Sequence, residues 1–377
     1  MNKVAVFRHQ LFKVSEPFIT QQAEQYRKYT PLYLGRSRFG EAPLGSCSLT
    51  LSDLPGQRRI SRKIWQVLTR DPRPYLYILE ENRPILIHAH FGVEAVYALP
   101  LARKLRVPLV TTFHGFDATL SARNLLTSRS PSWINYALLR DQLAQRGDVF
   151  LCVSDFIRQR VLQLGFPEER THVHYIGIDT DSIFPLKQND EGLEVLHVAR
   201  LVEKKGTEYL IRAFSMITSL YTDAVLVIVG DGPLRNSLES LSETLGIKEK
   251  VHFRGAKSHE YVMSAMRRAA MLVLPSVTAN SGDAEGLGMV ILEAAALGKP
   301  IIGTQHGGIP EAIIDSQTGF LVKERDVYTL ADRMKFLLSN EHERNAMGEK
   351  ARSFCKERFN IHQQTNKLEA IYDQVLR

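Results

Sequence analysis

The 377-residue chain is poor in cysteine: Cys47, Cys152 and Cys355 are the only three, and they lie far apart. They form no pair motif, which excludes a disulfide framework and a zinc signature and leaves reduced thiols as the expectation. Long apolar runs are also missing. The longest, such as 224–230 and 269–275, are strand-length, well short of the ~18–20 residues that span a bilayer. The opening stretch, MNKVAVFR, holds too short an apolar run for a signal peptide, so a cytoplasmic location is expected. No Gly-x-Gly-x-x-Gly follows the first candidate strand, which argues against a nicotinamide-dependent dehydrogenase. Gly230-Asp-Gly232 reads as a turn instead. Glycine (24) and proline (16) stand near average, which excludes collagen-like and low-complexity structure.

What the chain does have is uneven charge. Residues 1–185 carry 24 Lys and Arg against 16 Asp and Glu, whereas residues 186–377 carry 24 against 25. A basic first half suits nucleic acid, an anionic membrane surface or a phosphate-bearing ligand. A solubilising surface with no partner would look the same.

Strand and helix patterns alternate throughout. Apolar runs predict strands at 3–7, 84–90, 108–113, 149–154 and 172–176, with helices at 18–29, 93–105 and 155–164. A second set predicts strands at 193–199, 224–229, 251–253, 271–274, 300–303 and 319–322. Helices fall between them at 209–217, 234–245, 259–269, 289–297 and 327–338. This is an α/β chain with two Rossmann-like, doubly wound parallel sheets facing a cleft. The expected domains are 1–178 and 193–358, joined by a polar linker over 179–192. The last segment, 359–377, places Leu368, Ile371, Tyr372 and Leu376 at helical spacing, so it must pack on something. Ligands in such sheets bind beyond the carboxyl ends of the strands.

Three constellations lie there. In PSVTANSGDAEGLGMVILEAAALG (275–298) a loop leads through Glu285-Gly286-Leu-Gly288 into a helix that Gly298 would end. Gly286 and Gly288 allow close backbone approach, and the N–H groups at the helix start favour phosphate. Glu285 and Glu293 stand eight residues apart, up to ~8–12 Å on a helical rise, about the reach from a sugar to a ribose across a diphosphate. A capped helix with a solvent-facing Glu293 is the plainer alternative. Next, Arg200 and Lys205-Gly206 follow a strand, where a forked guanidinium and a point-charge ammonium suit a diphosphate. Finally, His114-Gly-Phe-Asp117 follows a first-domain strand, where the imidazole could face the cleft and Asp117 could orient it or cap the next segment.

Together these pieces resemble the retaining, nucleotide-sugar-dependent glycosyltransferases of the large bacterial family 4 (group 1), which have the GT-B fold. Glu285 and Glu293 match the family's Glu-x7-Glu motif. Val229-Gly-Asp-Gly-Pro233 and Thr304-Gln-His-Gly-Gly308-Ile-Pro-Glu311 are further matches. The stretch Val14-Ser-Glu-Pro-Phe-Ile-Thr20 is similar to exopolysaccharide transferases of the colanic acid and amylovoran type.

The resemblance implies roles. Glu285 would contact the donor sugar, the backbone from Gly286 and Gly288 to Met289 and Val290 would hold phosphate, and Glu293 would hold the ribose. Arg200 and Lys205 would neutralise the diphosphate, and the base would lie near 254–257, including Lys257. His114 would sit near sugar and acceptor, with Ser15, His90 and Asp117 on the acceptor side. The last helix would cross back onto the first domain. No metal or other cofactor is expected. The implied partners are a UDP- or GDP-linked hexose, a lipid-linked saccharide acceptor and the anionic inner-membrane face, with peripheral attachment there and no nucleic acid. Relatives carry a Gly-Gly turn after the first strand. Here that segment, Arg8 to Glu16, has no glycine, so Ser15 or nearby backbone would substitute.

Some patterns mislead. Asp179-Thr-Asp181 resembles an Asp-x-Asp metal motif but reads as turn chemistry in a linker. His88 with His90, and His172 with His174, share strand faces without a third ligand. Two other functions remain open: a nucleotide-sugar epimerase of the same fold, which needs no acceptor, and a basic nucleic-acid-binding protein, which leaves the Glu285 and Glu293 pair unexplained.

Overall fold

Each strand of the two sheets runs parallel to its neighbours, and the sequence shows why. Val225–Val229 is VLVIV, apolar at every position, as a strand covered on both faces must be. A computed structural model describes residues 2–13, 15–54, 59–185 and 193–377. Val14 and residues 186–192, part of the expected linker, lie outside the described residues. The chain forms two units, residues 1–178 with 361–377, and residues 179–360.

The first unit has a seven-stranded sheet. Its spatial order is Cys47–Thr50, Tyr29–Gly35, Asn2–Phe7, Leu86–His90, Leu109–Phe113, Val149–Cys152 and Thr171–Val173. The second has six strands, ordered Val251–Phe253, Val225–Val229, Glu194–Val198, Met271–Leu274, Ile301–Thr304 and Gly319–Val322. In each sheet the first strand in sequence lies inside, and the winding reverses beside it. That reversal, between Asn2–Phe7 and Leu86–His90 and between Glu194–Val198 and Met271–Leu274, is where open α/β sheets take ligands.

One expected helix is shorter than the pattern suggested. The helix predicted over 18–29 is Pro17–Glu24, and Tyr29 begins a strand. Aromatic and β-branched side chains at Tyr29, Thr30 and Tyr33 suit a strand pairing with Asn2–Phe7. Pro31 is tolerated there because pairing with the edge strand Cys47–Thr50 starts only at Leu32.

The helix Ile361–Val375 belongs to the first unit, where Leu368 and Tyr372 join a core of Val4, Tyr29, Leu86, Val110 and Leu151. Its polar side is also engaged. Tyr372 Oη lies 2.6 Å from His88 Nδ1 and 2.8 Å from Tyr26 Oη. Glu369 Oε1 accepts the backbone N–H groups of Arg27 and Lys28, each at 2.8 Å. Asp179 behaves as turn chemistry: its Oδ1 accepts the N–H groups of Asp181 and Ser182 at 3.1 and 3.0 Å. Among the described residues, no helix is long and apolar enough to cross a membrane.

Candidate functional site

In the second unit, His197 near the end of Glu194–Val198 ties the switch point together. Its Nδ1 lies 2.8 Å from the Val273 carbonyl and its Nε2 lies 3.0 Å from Thr207 Oγ1. Burial lowers its pKa to about 4, so the ring is neutral near pH 7. The loop that follows carries Arg200, Lys204 and Lys205 and closes at Gly206, whose φ is +63°. A Cβ at Gly206 would lie 1.9 Å from the Pro275 carbonyl oxygen, so only glycine lets this loop approach the next one.

The two adjacent lysines take alternate carboxylates. Lys204 Nζ donates to Asp283 Oδ1 at 3.0 Å, and Lys205 Nζ pairs with Glu285. Burial would push the Glu285 carboxyl up, but the charges of Lys205 and Lys204 outweigh it and hold the group down at about 2. Glu285 is therefore ionised. Its backbone is gripped from the other side: its N–H donates to His306 Nε2 at 3.1 Å, and its carbonyl accepts from the Gly308 N–H at 3.1 Å. With Nε2 accepting, His306 turns its Nδ1 to Glu324 Oε1, 2.7 Å away.

The helix Met289–Ala296 starts without a side-chain cap. Gly288 before it has φ +83°, a conformation that strains any other residue. The N–H groups of Gly288, Met289 and Val290 have no acceptor among the described residues. The helices Asp155–Gln163 and His259–Arg268, by contrast, are capped by Ser154 and Ser258. Open N–H groups and the positive end of a helix dipole make an anion site. Gly286 is buried in the approach loop. Glu293, one turn in, is part-buried and lies 3.0 Å from His259 Nε2, which raises the His259 pKa. Lys257 Nζ rests 5.4 Å from the Tyr261 ring centroid. Arg200 differs from both lysines: it is exposed and has no partner among the described residues.

The first unit builds a different centre at its own switch point. Arg8, directly after Asn2–Phe7, is buried and forked onto Glu16 at 2.8 and 2.9 Å. It also pairs with buried Glu94 and lies 4.4 Å from the Phe91 ring centroid. His114 Nε2 lies 3.1 Å from His90 Nδ1, and His90 stacks on His88 with centroids 4.4 Å apart. Burial lowers all three imidazole pKa values, so none is charged near neutrality. His114 Nδ1 is buried without a partner. Asp117 is buried and serves the backbone: its carboxylate accepts the N–H groups of Gly92, Gly115 and His114 at 2.8, 2.9 and 3.2 Å. Burial nevertheless pushes its pKa up to about 6. Ser15 is exposed in the turn before Pro17–Glu24, and its neighbour Glu16 makes the contact with Arg8.

Sequence reasoning paired Glu285 with Glu293 and Arg200 with Lys205, and missed the partners Lys204, Asp283, His306 and Glu324. It also missed the Arg8, Glu16 and Glu94 cluster. A signal for the latter existed: Glu94 is the lone acid in the apolar stretch FGVEAVYALPLA.

Residues 29–182 match the family model described as Glycosyltransferase Family 4, and residues 179–354 match Glycosyl transferases group 1. N-acetyl-alpha-D-glucosaminyl L-malate synthase of Bacillus anthracis is 32% identical over 309 residues, 79% of this chain and 76% of that protein. The chain belongs to the group 1 glycosyltransferases. Within that family, WcaL of Escherichia coli, named for colanic acid biosynthesis, is 35% identical over 250 residues, 65% of this chain. The amylovoran biosynthesis glycosyltransferase AmsK of Erwinia amylovora is 31% identical over 282 residues, 72% of this chain. The chain spans 59% and 66% of the lengths of these two proteins. Among solved structures, Anabaena HepE in complex with UDP and glucose superposes with a TM-score of 0.79 at 18% identity, covering 99% of this chain and 100% of that one. The group 1 chain thus has the GT-B fold, and its relatives include exopolysaccharide transferases.

Proposed function

We propose that the protein moves a hexose from a nucleoside-diphosphate sugar to an acceptor hydroxyl, with retention at the anomeric carbon and without a metal. The observation that carries this is the uncapped helix start at Gly288, Met289 and Val290, next to ionised Glu285 on the same loop. Open N–H donors suit a diphosphate, and a carboxylate fixed in place suits the hydroxyls of the attached sugar. Glu293 and the Lys257 region suit the ribose and base.

In the reaction, the bond from the anomeric carbon to the diphosphate oxygen breaks, and its electron pair leaves with the diphosphate. The exposed guanidinium of Arg200 and the helix N–H groups stabilise that charge as it grows. Lys205 holds Glu285 ionised and adds to the positive potential. The acceptor oxygen bonds to the same face, and its proton passes to a departing phosphate oxygen. Neutral His114 offers a hydrogen bond to an acceptor held on the first unit. The acceptor in this reading is a lipid-linked saccharide, as in exopolysaccharide assembly, bound by the basic first unit at an anionic membrane face.

A thermal-shift panel of UDP, GDP, ADP, NAD and sugar conjugates tests the donor site. One nucleoside diphosphate should raise the melting temperature of the wild type but not of Glu293→Ala. A response to NAD alone would overturn the reading. NMR of the product should show the donor's anomeric configuration, and inversion would exclude the same-face step.

A further inference from the structure

The helix Arg59–Thr69 is turned the wrong way round for a soluble surface. Ile60, Ile64, Trp65 and Leu68 are 66%, 55%, 53% and 58% exposed. Ile60, Ile64 and Leu68 follow one another at i, i+4 spacing, and Trp65 flanks them, so they form one face. One polar residue goes inward: Gln66 is fully buried, and its Oε1 accepts from Arg36 Nε at 2.8 Å, while Ser61, Arg62 and Thr69 stay exposed. Lys63 also points back to the body, donating to Ser52 Oγ at 2.5 Å. A soluble helix does the reverse, with apolar residues in and polar residues out.

The patch continues onto the neighbouring helix Pro131–Arg146. Asn135 Nδ2 donates to the Val67 carbonyl at 3.0 Å, and Gln142 Oε1 accepts from Arg70 at 3.3 Å. Between these two anchoring residues Leu138 is exposed. Contiguous apolar surface of this kind marks an interaction site.

Charge selects the occupant. Arg62 is exposed beside the apolar face. The unit that carries it holds 26 Lys and Arg against 16 Asp and Glu. A second copy of the same face would bring like charges together. An anionic bilayer attracts them, and an interfacial helix with apolar and basic residues and a tryptophan suits the boundary between headgroups and acyl chains.

We infer that Arg59–Thr69 is the element by which the protein docks on an anionic lipid surface, with Ile60, Ile64, Trp65 and Leu68 inserted. This deepens the membrane reading above and rests on it. It does not depend on which sugar is moved.

The test is flotation of the full chain with vesicles of phosphatidylcholine alone or with 30% phosphatidylglycerol, at low salt. The wild type and an Ile64→Ser, Leu68→Ser double variant are compared, with circular dichroism and the donor-nucleotide thermal shift as fold checks. The wild type should float with the anionic vesicles, and the double variant should bind at least about tenfold more weakly with its nucleotide response unchanged. Trp65 fluorescence, taken as wild type minus Trp65→Phe, should be quenched by brominated acyl chains. Equal flotation of both proteins would overturn the helix assignment while leaving the membrane reading standing. No flotation of the wild type would overturn both. A concentration-dependent dimer lost in the double variant, without flotation, would assign the face to a second copy. If the double variant misfolds, the tryptophan quenching in the wild type decides, and its absence overturns the proposal.

Discussion

Arg200 and Lys205 stand five residues apart in one loop, yet among the described residues only Lys205 is held in an ion pair, with Glu285. Arg200 is exposed and unpartnered among the described residues, whereas Lys205 neutralises part-buried Glu285. Arg200→Ala should therefore leave stability within about 0.5 kcal/mol while lowering turnover ~10²–10³-fold. Lys205→Ala should cost about 1.5–3 kcal/mol as well, because it strips a charged hydrogen bond from a carboxylate held at about 2. Denaturant unfolding beside turnover assays separates the two. His197 gives a pH prediction. Burial lowers its folded pKa to about 4, below the ordinary histidine value of ~6.5. The folded state thus binds fewer protons, so this group's contribution is complete above pH 6.5 and is lost as pH falls through 4. The window is worth about 3 kcal/mol. Unfolding curves from pH 7 to pH 4 should fall less steeply in His197→Gln than in the wild type.

At the scale of elements, Ile361–Val375 is held by Tyr372 as much as by its apolar face. Tyr372→Phe keeps the ring but leaves buried His88 Nδ1 without its partner, at a cost of about 1–3 kcal/mol. Calorimetry should place that loss in the transition of the first unit. The sequence exposes most strands because each is a short apolar run bounded by turn residues. It hides Tyr29–Gly35, because a proline inside an aromatic stretch reads as an interruption until the neighbouring strand is known to start one residue later. The Glu285 and Glu293 spacing is legible because it lies on one helix and its lead-in. The contacts of Lys204 and Lys205 are not, since which lysine meets which acid depends on the backbone turn at Gly206, 80 residues from Glu285 in the case of Lys205. The inverted face of Arg59–Thr69 escapes a pattern reading altogether: the same amphipathic sequence would describe a buried stripe, and only the inward Gln66 and Lys63 show the direction.

At the scale of the molecule, charge and topology divide differently from length. The second unit holds 22 Lys and Arg against 25 Asp and Glu, so the basic character lies in the first. Raising salt should therefore weaken binding to anionic vesicles at least about tenfold between 50 and 500 mM, with no such change for neutral vesicles. Flotation across a salt series reads this directly. The division also sets an order of events. All seven strands of the first sheet have been synthesised by residue 178, but Leu368 and Tyr372, which complete the core beside Val4, Leu86, Val110 and Leu151, follow only after the second unit. At ~5–20 residues per second, translation of the intervening second unit keeps that core open for roughly 10–35 s. The first unit begins before the second and finishes after it. A chain broken off anywhere before the final helix carries an uncovered apolar slot, which marks it for chaperones and proteases.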